Sequence, residues 1–218
     1  MDRIPASVVF RLRAIQAWDR RRLRRLARRH PGFELHPEVS SNFAVARYEL
    51  GPGARLRIGA GAVTDRVAGA LHFSLGEGAS VEVGEGSWLR TEIEPVHLVA
   101  FPGARLIVGP DAFLNGCHLS AKAEVRTGRR TWIGLGSRVF DADQHDFDDD
   151  TPEQVAPVRI GDGVWIASDV TVLRGVTIGS HSVVGTRSLV TRDVPDHTLA
   201  FGQPAQPRGR VGERWKTR

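Results

Sequence analysis

The sequence predicts an all-β solenoid with one amphipathic helix at its N-terminal end. Two repeats and one break carry this reading. Ile160, Ile166, Val172, Ile178, Val184 and Val190 are aliphatic and spaced by six. Two residues before each stand Val158, Val164, Val170, Val176, Ser182 and Ser188, all small or β-branched. A helix needs apolar residues at spacings of three and four, and a long strand needs open-ended alternation. A short extended stretch followed by a turn, repeated without slack, is how a β-solenoid is written. The second repeat is longer and lies upstream. The break falls at His145.

In chain order, residues 6–29 read as a helix, started by Pro5 and ended by Pro31-Gly32. Val8, Leu12, Ile15, Leu23 and Leu26 fall near one face and arginines cover much of the rest. Such a helix fits a membrane surface or an anionic partner. It also fits a cap, because an uncovered terminal coil exposes core and unpaired edges; the cap is the preferred reading. Residues 50–134 carry the longer repeat. Ile58-Gly59, Val83-Gly84, Val108-Gly109 and Ile133-Gly134 recur at 25 residues, so each 25-mer reads as one wider coil. His72 and His97 share this spacing, with Arg47 and Lys122 in phase on either side, which predicts an outward polar ladder rather than a metal site.

The strict hexad then begins at Thr127 and continues through Ile133 and Val139 to His145, an inward-type position. Residues 146–157 (DFDDDTPEQVAP) abandon the pattern and predict a loop leaving the solenoid. The hexad resumes at Val158. The expected organisation is a helix over 1–32, a solenoid over 33–200 with its loop at 146–157, and an extended basic tail over 201–218.

Composition narrows the function classes. The net charge of +5 is unevenly spread: residues 1–30 hold ten arginines against Asp2 and Asp19 (+8), and the rest hold 20 basic and 23 acidic side chains (−3). Basicity confined to one appendage is poor support for nucleic-acid binding, and none is expected. The single cysteine, Cys117, excludes an internal disulfide and fits a reducing compartment. With no membrane-length apolar run and no signal-peptide core, the expectation is a cytoplasmic protein, with membrane association possible only through residues 6–29.

The hexads, together with FLNGCHL, FDADQHDF, IGDGVWIASDVTVLRGVTIG and VTRDVPDHTLAFGQPA, resemble the hexapeptide-repeat acyltransferases. Within them the chain resembles the acetyl-CoA-dependent O-acetyltransferases of sugars and cell-envelope polysaccharides. The resemblance is strong over about residues 105–206, weaker over 45–104 and absent over 1–32. It implies a left-handed parallel β-helix, triangular in section, since general crossover rules favour the other hand. It further implies a homotrimer with active sites between subunits, a saccharide-type acceptor and acetyl-CoA as acyl donor.

Acyl transfer from a thioester to a hydroxyl needs a base near neutral pH, because the protonated alcohol is a poor nucleophile. The family's catalytic histidine falls at His145, whose bland alternative is a solvated loop histidine. Asp143 is a candidate to orient His145 or bind the acceptor, and otherwise a turn residue at the loop's entry. Asn115 falls where the family places an asparagine at the acceptor or reaction centre, with Arg90 expected one coil away. Trp165 faces outward by phase and fits an interface groove along the acceptor or pantetheine arm. Ala167, Ser168, Gly185 and Thr186 offer small side chains and backbone edges, with the Ala167 N–H the expected oxyanion donor. Thr191, Arg192 and Arg208 are candidates for the coenzyme phosphates, and Pro204 for an adenine shelf. The aspartates after His145 lack the glycine and glutamate of a calcium loop, and no metal is expected. The competing functions are N-acetylation of an amino sugar or antibiotic, and a non-catalytic β-helix scaffold.

Overall fold

The computed structural model describes residues 5–215; the ends of the helix and tail segments, residues 1–4 and 216–218, lie outside them. The chain is a left-handed parallel β-helix of three faces, preceded by a single α-helix, Ala6–Arg29. The first face stacks Phe33–Leu35, Arg55–Ile58, Ser80–Val83, Arg105–Val108, Glu124–Thr127, Val158–Ile160 and Thr177–Ile178. The second stacks Val63–Thr64, Trp88–Arg90, Phe113–Asn115, Trp132–Ile133, Trp165–Ile166, Val183–Val184 and Thr198–Gly202. The third stacks Arg47–Leu50, Leu71–Leu75, Val96–Ala100, His118–Ala121, Arg138–Phe140, Thr171–Val172 and Leu189–Val190. The chain visits first, second and third face in turn, so each face is an all-parallel sheet within the solenoid.

The core is the hexad pattern made solid. Ile160, Ile166, Val172, Ile178, Val184 and Val190 are all buried, as are the residues two before each, Val158 through Ser188. Alternate residues on a strand face opposite sides, so the side chain between them points to solvent. Glycine follows the inward aliphatic where coils approach closely: a Cβ on Gly134 would lie 2.7 Å from the Ala167 carbonyl carbon.

Coil length is not uniform, and this corrects the longer repeat. Leu56, Val81 and Leu106 stack at the 25-residue step. Leu106 then meets Val125, only 19 residues on, and the last step, Ile160 to Ile178, is 18. Ile133 therefore stacks on Leu114 in the second face, not on Val108 in the first. The fourth 25-residue interval is a coincidence of sequence. Lys122 likewise leaves the predicted polar ladder: His97 pairs with His118 instead. The ladder is three imidazoles, His72, His97 and His118, with successive ring centroids 5.5 Å apart.

The solenoid's ends are covered differently. Leu23 of the helix is buried on the first coil, where the helix packs against Phe33–Leu35 and the 3₁₀ turn Ser41–Val45. Asp19, also buried, receives a bidentate pair from Arg66 at 3.0 and 3.1 Å. The predicted apolar face is only half used, because Val8, Leu12 and Ile15 run past the solenoid and remain exposed. At the other end the predicted extended tail is a hairpin. Ala205–Arg210 pairs antiparallel with Thr198–Gly202 and covers an edge that would otherwise be unpaired. The chain then turns back, and Trp215 meets Trp132 edge-on at 4.7 Å.

Two outcomes follow from these contacts. Asp19→Ala strands a partly exposed Arg66 and should loosen helix docking by about 1–2 kcal/mol, read as roughly tenfold faster amide exchange over residues 20–29. Burial, then the neighbouring imidazoles, hold His97 and His118 below the ordinary histidine value of 6.5. The unfolded chain therefore binds protons first, and stability present above pH 6.5 is lost as pH falls through the lower folded values. His118→Gln should flatten that decline in pH-dependent denaturation curves.

Candidate active site

The corner between second and third faces carries one half of the predicted site. Asn115, Trp132, Trp165, Ala167, Ser168 and Thr186 line an open groove of about 220 Å³ there. It lies beside an outward aromatic ladder in which Trp88 meets Phe113 at 5.1 Å and Phe113 meets Trp132 at 6.1 Å. Trp165 is Trp132's neighbour in the next coil and is 44% exposed, as its phase requires. Asn115 neighbours Arg90 across the ladder, as expected. Its Oδ1 is buried without a hydrogen-bond partner among the described residues. Such an atom costs about 1–3 kcal/mol unless something else satisfies it.

Backbone donors in this corner sort into two groups. The Ala167 N–H donates to the Val184 carbonyl at 2.9 Å, so it is committed to the solenoid and is not the oxyanion donor the sequence suggested. Gly185 N–H is likewise spent on Ala200 O. The Ser168 and Thr186 N–H groups form no hydrogen bond among the described residues. Gly185 has a packing role: a Cβ there would lie 2.8 Å from Phe201 Cβ. Pro204 and Arg208 continue the same edge in the terminal hairpin, with Arg208 5.7 Å over the Phe201 ring and Gln203 Nε2 donating to Arg187 O at 2.7 Å. Arg214, which the sequence reading missed, lies over Trp132 and Trp165 at 5.4 and 5.5 Å.

The other half sits on the corner between third and first faces. The hexad slots six and four residues after Val139 are filled by Ile160 and Val158, not by His145 and Asp143. An imidazole and a carboxylate would be costly in that apolar stack. The intervening chain is extruded as a small hairpin, with bridges between Ala142 and Val155 and between Asp148 and Thr151. The excursion therefore begins at about Asp141, earlier than predicted, and His145 is exposed rather than inward.

The loop is anchored. Asp141 is fully buried, and its carboxylate accepts the Lys122 and Ala123 N–H groups at 2.7 and 2.8 Å. Lys122 Nζ donates to Gln144 O at 3.2 Å and to both Glu153 oxygens at 2.7 and 2.8 Å. Gln144 has φ +78°, a left-handed conformation strained for a side chain of this kind, and it turns the chain immediately before His145. Asp143 accepts from Arg174 Nε at 2.6 Å and Gln154 N at 3.3 Å. Arg174 holds its carboxyl below the usual range, helped by the Gln154 N–H. Asp146 accepts the Glu153 N–H at 2.6 Å. Both flanking carboxylates thus bond the loop's own framework. Thr191 and Arg192 follow Leu189–Val190 on this same edge and are exposed.

The predicted site residues therefore divide between two edges of one prism. Asn115, Trp165, Ala167, Ser168, Gly185, Thr186, Pro204 and Arg208 share the groove edge; Asp143, His145, Thr191 and Arg192 share the loop edge. The anchoring roles of Lys122, Asp141 and Arg174 went unread because their partners are 18 to 31 residues away and no local pattern marks them. Cys117 is buried beside the groove edge, and burial pushes its thiol up to about 12. Among the described residues no group of three or more His, Cys, Asp and Glu is arranged to hold a metal ion.

Residues 157–192 match the family described as bacterial transferase hexapeptide (six repeats). That match covers the regular C-terminal hexads, and the solenoid described above is the fold such repeats form. A Schizosaccharomyces pombe protein named for an inferred acetyltransferase activity is 55% identical over 121 residues, 53% of this chain and 58% of its own length. The chain thus spans little more than half of that relative. A galactoside acetyltransferase solved in complex with coenzyme A is 27% identical with a TM-score of 0.51, over 62% of this chain and 66% of that one. The polySia-specific acetyltransferase NeuO shares the fold with a TM-score of 0.60 at 21% identity, over 87% and 91% of the two chains.

Asp141→Ala removes two hydrogen bonds to a buried carboxylate. It should cost about 3 kcal/mol in chemical denaturation and sharply raise amide exchange at Lys122 and Ala123.

Proposed function

We propose that the chain is an acetyltransferase that moves an acetyl group from acetyl-CoA to a hydroxyl of a saccharide acceptor, with His145 as general base. One observation carries this reading most directly. The groove holds an unsatisfied amide oxygen and unpaired N–H donors, no base is among the side chains that line it, and the base candidate stands on another edge. A cyclic trimer completes the site by setting the loop edge of one subunit against the groove edge of the next, giving three sites by closed symmetry. The coenzyme A carried by the galactoside acetyltransferase at 27% identity supports the donor.

The chemistry balances with these groups. His145 takes the proton as the acceptor oxygen attacks the thioester carbonyl. The tetrahedral oxyanion meets N–H donors left unpaired by the solenoid, the Ser168 N–H foremost, in place of Ala167. The C–S bond then breaks, and the imidazolium returns its proton to the departing thiolate. Asn115 orients the acceptor hydroxyl through an amide that both donates and accepts. Along the groove edge the Thr186 N–H can pair with a pantetheine amide, and Trp165 packs against the arm. Pro204 offers a shelf for adenine. Arg208, and Arg192 with Thr191 from the loop edge, meet the phosphates. Asp143 acts as a positioning residue: paired to Arg174, it holds the loop from which His145 projects.

His145→Ala should lower kcat by about 10²–10⁴-fold while trimer mass by native mass spectrometry and coenzyme A binding by calorimetry persist. Normal turnover of that variant, or a monomer in solution with full activity, defeats the reading. A panel of neutral and amino sugars decides between hydroxyl and amine acceptors.

A further inference from the structure

The N-terminal helix has more surface than capping uses. At 100° per residue, Val8, Leu12, Ile15, Leu23 and Leu26 fall on one face, interrupted between Ile15 and Leu23 by Asp19. Leu23 and Leu26 end it against the solenoid, but Val8, Leu12 and Ile15 overhang and are 42%, 51% and 42% exposed. Phe10 and Trp18 lie off the stripe and are more exposed still, 75% and 65%. The first half of the helix is therefore apolar over most of its circumference and uncovered, a state that marks an interaction surface.

The second half has the opposite character. Arg21, Arg22, Arg25 and Arg29, with Trp18 and Tyr48, line an open cleft of about 580 Å³ between helix and first coil. None of these four arginines forms an ion pair among the described residues. The segment 1–30 carries +8 while the remaining chain carries −3, so the largest positive charge of the chain sits at this end.

We propose that this helix docks the protein on an anionic lipid bilayer. The overhanging apolar half lies in the headgroup–acyl boundary, and the seated arginines bind headgroup phosphates. Apolar and basic surface in one helix is the signature of an interfacial anchor. No helix among the described residues is long and apolar enough to cross a membrane, so the helix lies on the bilayer rather than through it. A soluble polyanion would engage the arginines and leave Phe10, Leu12 and Ile15 in water. A second copy would bring one arginine-rich segment against another. The lipid surface alone satisfies both halves at once, and it would present the first coil, not the groove edge, to the membrane.

The test is co-sedimentation of the full chain with vesicles of phosphatidylcholine alone and of phosphatidylcholine with phosphatidylglycerol, with dextran sulfate as soluble polyanion. The wild type should bind only the phosphatidylglycerol vesicles, and less as salt rises. Arg21→Gln with Arg25→Gln should weaken that partition by roughly 30-fold. Phe10→Ser with Leu12→Ser and Ile15→Ser should weaken it at least as much, with native circular dichroism and oligomer mass retained in both variants. Absence of binding to anionic vesicles overturns the proposal. So does binding that the apolar variant leaves intact but dextran sulfate matches, which makes the cleft a polyanion site. So does a larger wild-type assembly that the apolar variant dissolves, which makes the overhang a self-association face. The readout is independent of acyl transfer, so its failure leaves the catalytic reading untouched.

Discussion

Every feature of this molecule depends on coil stacking. Each inward side chain must meet one from the coil before and one from the coil after, while the strand backbones pair in parallel along each face. The column Leu106, Val125, Val158 shows how strict this is: the chain between successive rungs is 19 and then 33 residues long, yet the inward positions still register. A face admits no insertion, since a one-residue slip would turn its apolar side chains to solvent. A corner admits almost any, because its residues are already outside the core. Length variation, strain and polar chemistry are therefore driven to the corners.

This constraint explains why the candidate site residues sit where they do. The solenoid consumes the backbone donors of its strands, including those of Ala167 and Gly185. What remains for a ligand is the residue just past each strand, such as Ser168 and Thr186, in a column down one edge. The extruded hairpin uses the third-to-first corner in the same way. Held by buried Asp141, by Lys122 and by the Asp143–Arg174 pair, it can project an exposed imidazole without disturbing the stack. A rigid prism with candidate functional groups on different edges offers a half-site on each, which the proposed trimer would join.

The ends follow the same physics. A solenoid has two open coils, and each must be covered by something that does not continue the stack. The helix covers one with Leu23 and with buried Asp19 paired to a partly exposed Arg66; an antiparallel hairpin covers the other. Both covers exceed what closure needs. The helix overhangs with its apolar half, and the tail returns to place Arg214 and Trp215 across the tryptophans of the second face.

Much of this was legible in residue spacing alone. The hexad from Val158 to Val190 determined the solenoid and the inward set, and Pro5, Pro31-Gly32 and the apolar spacing between them determined the helix bounds at 6 and 29, because both helix and solenoid write their periods locally. It also placed the failure at His145, a few residues beyond Asp141, where the excursion begins. Tertiary structure decided the rest. The interval from Val108 to Ile133 looked like a fourth coil until the 19-residue step put those residues on different faces. His118 rather than Lys122 completed the imidazole ladder for the same reason. Ala167 looked free to donate until Val184 appeared opposite its N–H. The division of the site between two edges, the loop's anchors and the unused half of the helix are facts of which residue meets which across coils. Sequence spacing cannot state those meetings, because corners of differing length make separation along the chain a poor guide to separation in space.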